Sequence, residues 1–158
     1  MTSAKTHRSA FSIRTPPVWP GARIGLMGGS FNPPHEGHLV VARASLRRLH
    51  LDQLWWVVTP GNPLKSHGGL PATDSRIEAV ESLAKHPKML TTAFETELGT
   101  PYTAATIEFL LKRYPQARVV WVMGADNLAT CHRWQRWRDS AAMVPIAVID
   151  RPGWRFPG

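Results

Sequence analysis

Residues 28–38 read Gly-Gly-Ser-Phe-Asn-Pro-Pro-His-Glu-Gly-His, with three glycines, two prolines and two histidines in eleven positions. The short apolar run at 24–27 before it predicts a strand, and residues 39–42 after it open an apolar helical pattern. The stretch is therefore a strand-to-helix turn, where backbone N–H groups and the helix dipole face an anion. Gly28 and Gly29 are expected to let the backbone turn sharply and approach a phosphate closely.

Two histidines give this turn its chemistry. His35 and His38 are three residues apart, so at a first helical turn their side chains share a face. Both imidazoles can donate hydrogen bonds to phosphoryl oxygens there. Zinc binding is one alternative, but His-Glu-Gly-His lacks the His-Glu-x-x-His spacing and the single cysteine gives no thiolate site. A plain Gly- and Pro-rich connector is another alternative. A dinucleotide fingerprint is excluded because the chain has no Gly-x-Gly-x-x-Gly.

The whole stretch resembles the signature of the His-x-Gly-His nucleotidyltransferase superfamily, in the form carried by bacterial nicotinate-nucleotide adenylyltransferases. The resemblance covers about residues 22–153 and implies an α/β, Rossmann-like nucleotidyltransferase fold. It also implies adenylyl transfer from ATP to nicotinate mononucleotide, giving nicotinate adenine dinucleotide and pyrophosphate in NAD biosynthesis. On the turn itself it implies that Asn32 binds the mononucleotide and that the two histidines are catalytic. It further implies an ATP-binding set made of Gly28, Gly29, Ser30, Phe31, His35 and His38.

A lysine loop follows the second predicted strand. Residues 60–65, Pro-Gly-Asn-Pro-Leu-Lys, resemble the family's Pro-x-x-Pro-x-Lys segment, which implies that Lys65 is catalytic and meets the ATP phosphates. A mobile ammonium is well suited to neutralise a leaving pyrophosphate. The plainer interpretation is a solvated loop lysine.

Two further segments resemble the mononucleotide pocket of the family. In Thr100-Pro101-Tyr102-Thr103, a hydroxyl and helix-start amides would hold the pyridine carboxylate, which implicates Tyr102 and Thr103. Gly124 and Asp126 match a Gly-x-Asp turn whose Asp accepts ribose hydroxyl bonds, and Trp134 lies where the family stacks an aromatic ring on the pyridine. An ordinary N-cap, an ordinary turn and a core tryptophan are the competing interpretations.

Periodicity predicts alternating strands and helices along the chain. A helix is expected from about Gly37 to Leu49, and Ser75 to Glu78 fits a capping box at the start of a second helix. Helical spacing then marks a third helix closed by Pro115, and Trp134 and Trp137 lie on a last helical segment. Apolar runs predict further strands at 54–58, 89–94, 118–123 and 145–150. This alternation predicts a parallel sheet of about five strands with flanking helices.

The bulk properties fit one globular domain with an anionic partner. The chain has 158 residues, 43% hydrophobic and 19% charged, with a net charge of +8. That charge suits nucleotides, nucleic acid or a membrane surface; no nucleic-acid motif and no membrane span is found, so neither of those partners is expected. A single cysteine fits a cytoplasmic protein. Residues 1–22 are expected to be a disordered basic extension, with a transit peptide as the alternative, and 23–158 the nucleotidyltransferase domain.

The resemblance leaves several questions open. Family members continue to a Ser-Ser/Thr-x-x-Arg helix start that grips the ATP phosphates, and this sequence reaches Gly158 without it. We therefore expect a C-terminally short domain with weaker ATP binding. Phosphopantetheine or other small-phosphate adenylyl transfer, an impaired nucleotide-binding remnant and a basic nucleic-acid binder are the alternatives. Mg²⁺ is expected only through the ATP phosphates, with no metal site on the protein. The sequence does not determine the oligomeric state, and a homo-oligomer is one of the possibilities.

Overall fold

The computed structural model describes residues 14–59, 72–94, 103–125 and 142–150. Within them, five strands form one parallel sheet: β1 (Arg23–Gly29), β2 (Gln53–Val58), β3 (Met89–Thr92), β4 (Arg118–Gly124) and β5 (Ile146–Ile149). Three helices lie wholly within the described residues: α1 (Glu36–Arg48), α2 (Thr73–Leu83) and α3 (Thr103–Arg113). The predicted five-stranded parallel sheet with flanking helices is confirmed.

The sheet is buried on both faces, which explains why its strands are apolar without alternation. One face carries α1 and α2, and its core includes Met27, Trp56, Val80 and Val122. The opposite face packs against α3, and Ile107 belongs to the core there. Successive residues of β2 divide between the two faces, so the adjacent tryptophans Trp55 and Trp56 belong to different cores.

The strand order β3-β2-β1-β4-β5 places β1 at the centre. From β1 the chain builds outward through β2 and β3, and then returns to the other side of β1 with β4 and β5. The order therefore reverses between β1 and β4. Ligands in open α/β sheets bind beyond the carboxyl ends of the strands at such a reversal, and the turn at 30–35 leaves β1 at this point.

The helix boundaries differ from the predicted ones in instructive ways. Helix α1 begins at Glu36, one residue earlier than expected, and buries Val41, Ala42 and Ala44 as predicted. The capping box predicted at Ser75 is wrong: α2 begins at Thr73 after Ala72, which makes no side-chain cap. Ser75 is the third residue of the helix, so it does not occupy the N-cap position that a capping box requires. The third and fifth strands are shorter than predicted.

Residues 14–22 lie against the domain. Gln53 donates a side-chain hydrogen bond to the Pro17 carbonyl at 3.2 Å, and the hydroxyls of Thr15 and Tyr114 are hydrogen-bonded. Val18 packs beside the core on the α3 face. Residues 1–13 lie outside the described residues, so the extension and the domain boundary at residue 23 stay predictions. In the described part of the chain, no helix is both long enough and apolar enough to cross a membrane.

Candidate active site

The turn at the end of β1 is made by a phenylalanine. Gly28 and Gly29 both belong to β1, so the prediction that they make the sharp turn is wrong. Phe31 instead has φ 48°, in the left-handed region that costs a side chain with a Cβ about 1 kcal/mol or more. Its ring is 3% exposed and packs in the core of the α1 face. The burial of this ring offsets the strain of the backbone and fixes the turn.

Gly28 serves packing between strands. A Cβ on Gly28 would lie 2.7 Å from Cη2 of Trp121, whose ring is buried on β4. Only a residue without a side chain leaves room on this face of the sheet for the indole from the neighbouring strand. The absence of a side chain at this position is thus explained without a ligand, and the predicted roles of Gly28, Gly29 and Ser30 in ATP binding stay predictions.

The two histidines cap α1 reciprocally. His35 is the N-cap residue, and its Nδ1 accepts a hydrogen bond from the Gly37 N–H at 3.1 Å. His38, at the third helical position, accepts the His35 N–H on its own Nδ1 at 3.0 Å. This is the pattern of a capping box, with imidazoles in place of a hydroxyl and a carboxylate. The rings stack with centroids 3.9 Å apart, so the predicted shared face is confirmed.

The capping bonds determine which nitrogen of each ring can donate. Because Nδ1 accepts a main-chain N–H in both residues, the proton of the neutral imidazole sits on Nε2. Each ring therefore has an Nε2–H donor at the N-terminus of α1. The positive end of the helix dipole at this position stabilises a bound anion. The side chain of His35 is exposed and that of His38 is half-buried. This arrangement suits the binding of an anion with several oxygens, such as a chain of phosphates.

Aromatic rings hold His38 on its inner side. The ring of Phe31 meets it edge-on at a centroid distance of 5.1 Å, and Trp56 of β2 lies at 6.3 Å. Phe31 and Trp56 also contact each other at 5.3 Å. His38 is thus packed between a stacked histidine and two buried aromatic rings, which restricts the orientations of its imidazole. The apolar run at 54–58 predicted a buried strand for Trp56 but gave no sign of this contact.

A buried arginine lies beside the same turn and was also missed. Arg76 on α2 is 3% exposed and donates to the carbonyls of Ser30 at 2.9 Å and Thr59 at 2.7 Å. Burial lowers the pKa of Arg76 below its usual value, but a guanidinium remains charged in proteins. One signal in the sequence could have found it: Arg76 precedes the core residue Val80 by four positions, on the buried stripe of α2.

Other predicted site residues lie partly or wholly outside this arrangement. Gly124 ends β4, the strand beside β1, so it follows the same edge of the sheet. Asn32 is exposed within the turn, and Thr103 begins α3. Lys65, Tyr102, Asp126 and Trp134 lie outside the described residues. Within the described ranges, no group of three or more His, Cys, Asp or Glu side chains could hold a metal ion.

A cavity of about 260 Å³ lies at the amino ends of the strands, opposite the histidine turn. It is lined by residues just before β1 and β4, among them Val18, Trp19, Pro20 and Tyr114. In a parallel sheet this is the amino edge, far from the turn that carries the histidines. The cavity is therefore distinct from the candidate site.

Comparison with known proteins agrees with this geometry. Residues 26–157 match the family model described as cytidylyltransferase-like. A protein of Agrobacterium fabrum named "Probable nicotinate-nucleotide adenylyltransferase" is 58% identical over 82% of this chain and 70% of its own length. A protein of the same name from Rhizobium meliloti is 58% identical over 82% of this chain and 69% of its own.

A solved structure supports the fold. The Plasmodium falciparum nicotinic acid mononucleotide adenylyltransferase complexed with APC superposes with a TM-score of 0.72 at 15% identity. The match covers 86% of this chain and 67% of that one. The same Plasmodium enzyme complexed with NaAD also superposes with a TM-score of 0.72.

Proposed function

This chain belongs to the cytidylyltransferase-like family and, within it, to the nicotinate-nucleotide adenylyltransferases, and we infer that it transfers an adenylyl group from ATP to nicotinate mononucleotide. The products are nicotinate adenine dinucleotide and pyrophosphate, a step of NAD biosynthesis. The observation that carries the inference is the reciprocal histidine cap at the start of α1, next to the reversal of strand order. Relatives of 58% identity that carry this enzyme name support the choice of reaction.

The reaction is an in-line displacement at phosphorus. A phosphate oxygen of the mononucleotide attacks the α-phosphorus of ATP, and the bond from that phosphorus to the bridging oxygen breaks as pyrophosphate leaves. No covalent bond to the protein forms, so the protein contributes positioning and stabilisation of charge. In our proposal His38 donates from Nε2 to the α-phosphate, where negative charge develops. His35 donates from the more exposed position to the β- and γ-phosphates.

The remaining predicted residues complete the proposal. Lys65 would add a positive charge on the departing pyrophosphate. Asn32, Tyr102, Thr103, Gly124, Asp126 and Trp134 would hold the mononucleotide, with helix-start amides and the Thr103 hydroxyl on the carboxylate. A site built for a carboxylate leaves its donors mismatched when an amide replaces that group. Nicotinate mononucleotide should therefore be preferred over the nicotinamide form.

A divalent metal ion would reach the site with ATP. Nucleotidyltransferases of this kind use ATP with a divalent metal, which we propose to be Mg²⁺. Because Nδ1 of both rings is occupied by a main-chain N–H, the turn presents Nε2–H donors, which bind phosphate oxygens. The ion would therefore be held by triphosphate oxygens and water. When bound, it neutralises charge on the phosphates during transfer.

A pyrophosphate-release assay tests the proposal. ATP is combined with nicotinate mononucleotide, nicotinamide mononucleotide or phosphopantetheine, each with Mg²⁺ and without it. We expect the highest kcat/KM with nicotinate mononucleotide. If phosphopantetheine were the one acceptor that supported pyrophosphate release from ATP, the chain would catalyse a different adenylyl transfer. Equal efficiency with the two mononucleotides would remove the proposed recognition of the carboxylate.

A further inference from the structure

Arg76 is a buried cation with no place in the proposed chemistry. Arginine is rarely buried to this degree, and here its guanidinium lies beneath the turn and is 3% exposed. One nitrogen, Nη1, donates to two main-chain carbonyls, and Nη2 donates to the Thr73 hydroxyl at 3.3 Å. A fold that needed only an apolar contact at this point of α2 would place an aliphatic residue there, as it does at Val80.

The two carbonyls belong to the ends of neighbouring strands. Ser30 follows β1 and Thr59 follows β2, and the Thr59 N–H donates to the Gly29 carbonyl at 3.0 Å. Beyond the last ladder bond, strand-end carbonyls can accept hydrogen bonds from side chains. Arg76 supplies donors to both, so one side chain holds the two strand ends together beyond that main-chain bond.

The Ser30 carbonyl leads directly to the histidines. The next residue is Phe31, with its left-handed backbone, and the Phe31 ring contacts the ring of His38. A shift of the Ser30 peptide would rotate the backbone at Phe31 and move its ring against His38. Buried, close-packed rings transmit such a shift because they have little free volume.

We propose that Arg76 is a positioning residue for adenylyl transfer: by holding the carbonyls of Ser30 and Thr59 together, it keeps the turn in the conformation that aims the two histidines at the phosphates. The proposal rests on the proposed function. It assigns Arg76 no contact with substrate, and it distinguishes arginine from lysine at this position. Lysine keeps the charge but is shorter and lacks the planar fork, so it cannot reach both carbonyls and the Thr73 hydroxyl together.

The test compares Arg76→Lys and Arg76→Gln with Val80→Ala. Val80 is fully buried on the same helix, so its truncation lowers stability without removing a bond to the turn. Kinetics are measured well below the melting temperature of each variant. We expect kcat to fall about 10- to 10²-fold in Arg76→Lys, since small misplacements of reacting groups cost rates of that size. The KM for nicotinate mononucleotide should change less, and Val80→Ala should keep wild-type kinetics.

A milder variant covers the case in which Arg76→Gln does not fold. Thr73→Val removes the hydroxyl that orients Nη2 while keeping Arg76 itself. We expect a decrease in kcat in the same direction as for Arg76→Lys, but smaller. If Arg76→Lys and Thr73→Val both keep wild-type kcat and KM and lose only melting temperature, as Val80→Ala does, Arg76 is a structural residue and the proposal is wrong.

Imidazole NMR separates this proposal from the proposed function. In long-range ¹H–¹⁵N spectra, His35 and His38 should show the Nε2-protonated tautomer in the wild type and in Val80→Ala. In Arg76→Lys, we expect their signals to shift towards mixed tautomers as the reciprocal cap loosens. If the wild type released no pyrophosphate yet the spectra changed in this way, the reaction would be wrong while the coupling of Arg76 to the histidines held. Unchanged spectra in Arg76→Lys would overturn the coupling.

Discussion

The carboxyl and amino ends of the strands form two edges of the sheet, and these edges differ in the groups that they present to a ligand. At the carboxyl edge, a left-handed Phe31 and two capping histidines place N–H donors at a helix start, above the buried Arg76. At the amino edge lies a cavity of about 260 Å³ that is mostly apolar in its lining. There the Arg113 guanidinium lies 5.7 Å from the ring centroids of both Phe109 and Tyr114. The carboxyl edge has N–H donors, and the amino edge has an open, mostly apolar cavity.

In this small nucleotide-binding domain, the cavity and the groups that can bind an anion therefore lie at different places. Phosphates are bound by converging N–H groups and positive potential, which a shallow turn can provide. The lining of the amino-edge cavity is mostly apolar, and its Arg113 lies against two aromatic rings. Function at the carboxyl edge and stability at the amino edge should therefore respond to different substitutions.

The largest effect is expected at His38. His38→Ala removes a donor to the α-phosphate and should lower kcat by about 10²–10³-fold. It also removes the acceptor for the His35 N–H, which costs about 0.5–2 kcal/mol of stability as the loss of a cap. Steady-state pyrophosphate release and thermal unfolding measure the two losses separately.

His38→Gln serves as the matched variant. Glutamine at the third helical position can still accept the N-cap N–H, so the stability of α1 should return towards the wild type. The rate should stay low because the Nε2–H donor is missing. Recovery of both stability and rate in His38→Gln would mean that His38 acts only as a cap.

The next effect concerns Gly28, which leaves room for the Trp121 ring. In Gly28→Ala, the new Cβ would overlap the buried Trp121 ring, so we expect a loss of about 1–3 kcal/mol in the free energy of unfolding. Trp121→Phe shortens that ring, and the double variant should lose less than the sum of the two single ones. Denaturant midpoints of the four proteins give the coupling. Strict additivity would show that Gly28 is required for another reason.

How far the sequence predicted this molecule depends on whether the determining contact is local. The parallel sheet and the shared face of His35 and His38 followed from periodicity and spacing, since both depend on neighbours in the chain. The sharp turn was expected at Gly28 and Gly29 and was found at Phe31, because burial of the ring outweighs local preference. A propensity argument cannot weigh a tertiary contact that it does not contain.

Arg76 shows the limit more sharply. Its partners, the carbonyls of Ser30 and Thr59, are 46 and 17 residues away in sequence and carry no side-chain signature. The capping-box pattern drew attention to Ser75 instead, although the helix had already begun at Thr73. A charged residue on the buried stripe of an amphipathic helix was the usable signal. It indicates that burial needs a partner, but not which one.

The smallest effect is expected at the amino edge. Tyr114→Phe keeps the ring beneath Arg113 and removes only the hydroxyl that meets Thr15. A partly buried hydrogen bond of this kind contributes about 0.5–1.5 kcal/mol, so the melting temperature should fall by a few degrees. Because this contact lies at the edge opposite the histidines, kcat and the KM values for ATP and nicotinate mononucleotide should equal those of the wild type. Thr15→Val is the matched change on the other partner, and the double variant should cost no more than the larger of the two single ones. A change in kcat or KM in either variant would show that the amino edge is coupled to the phosphate site, and the separation of roles between the two edges would then be wrong.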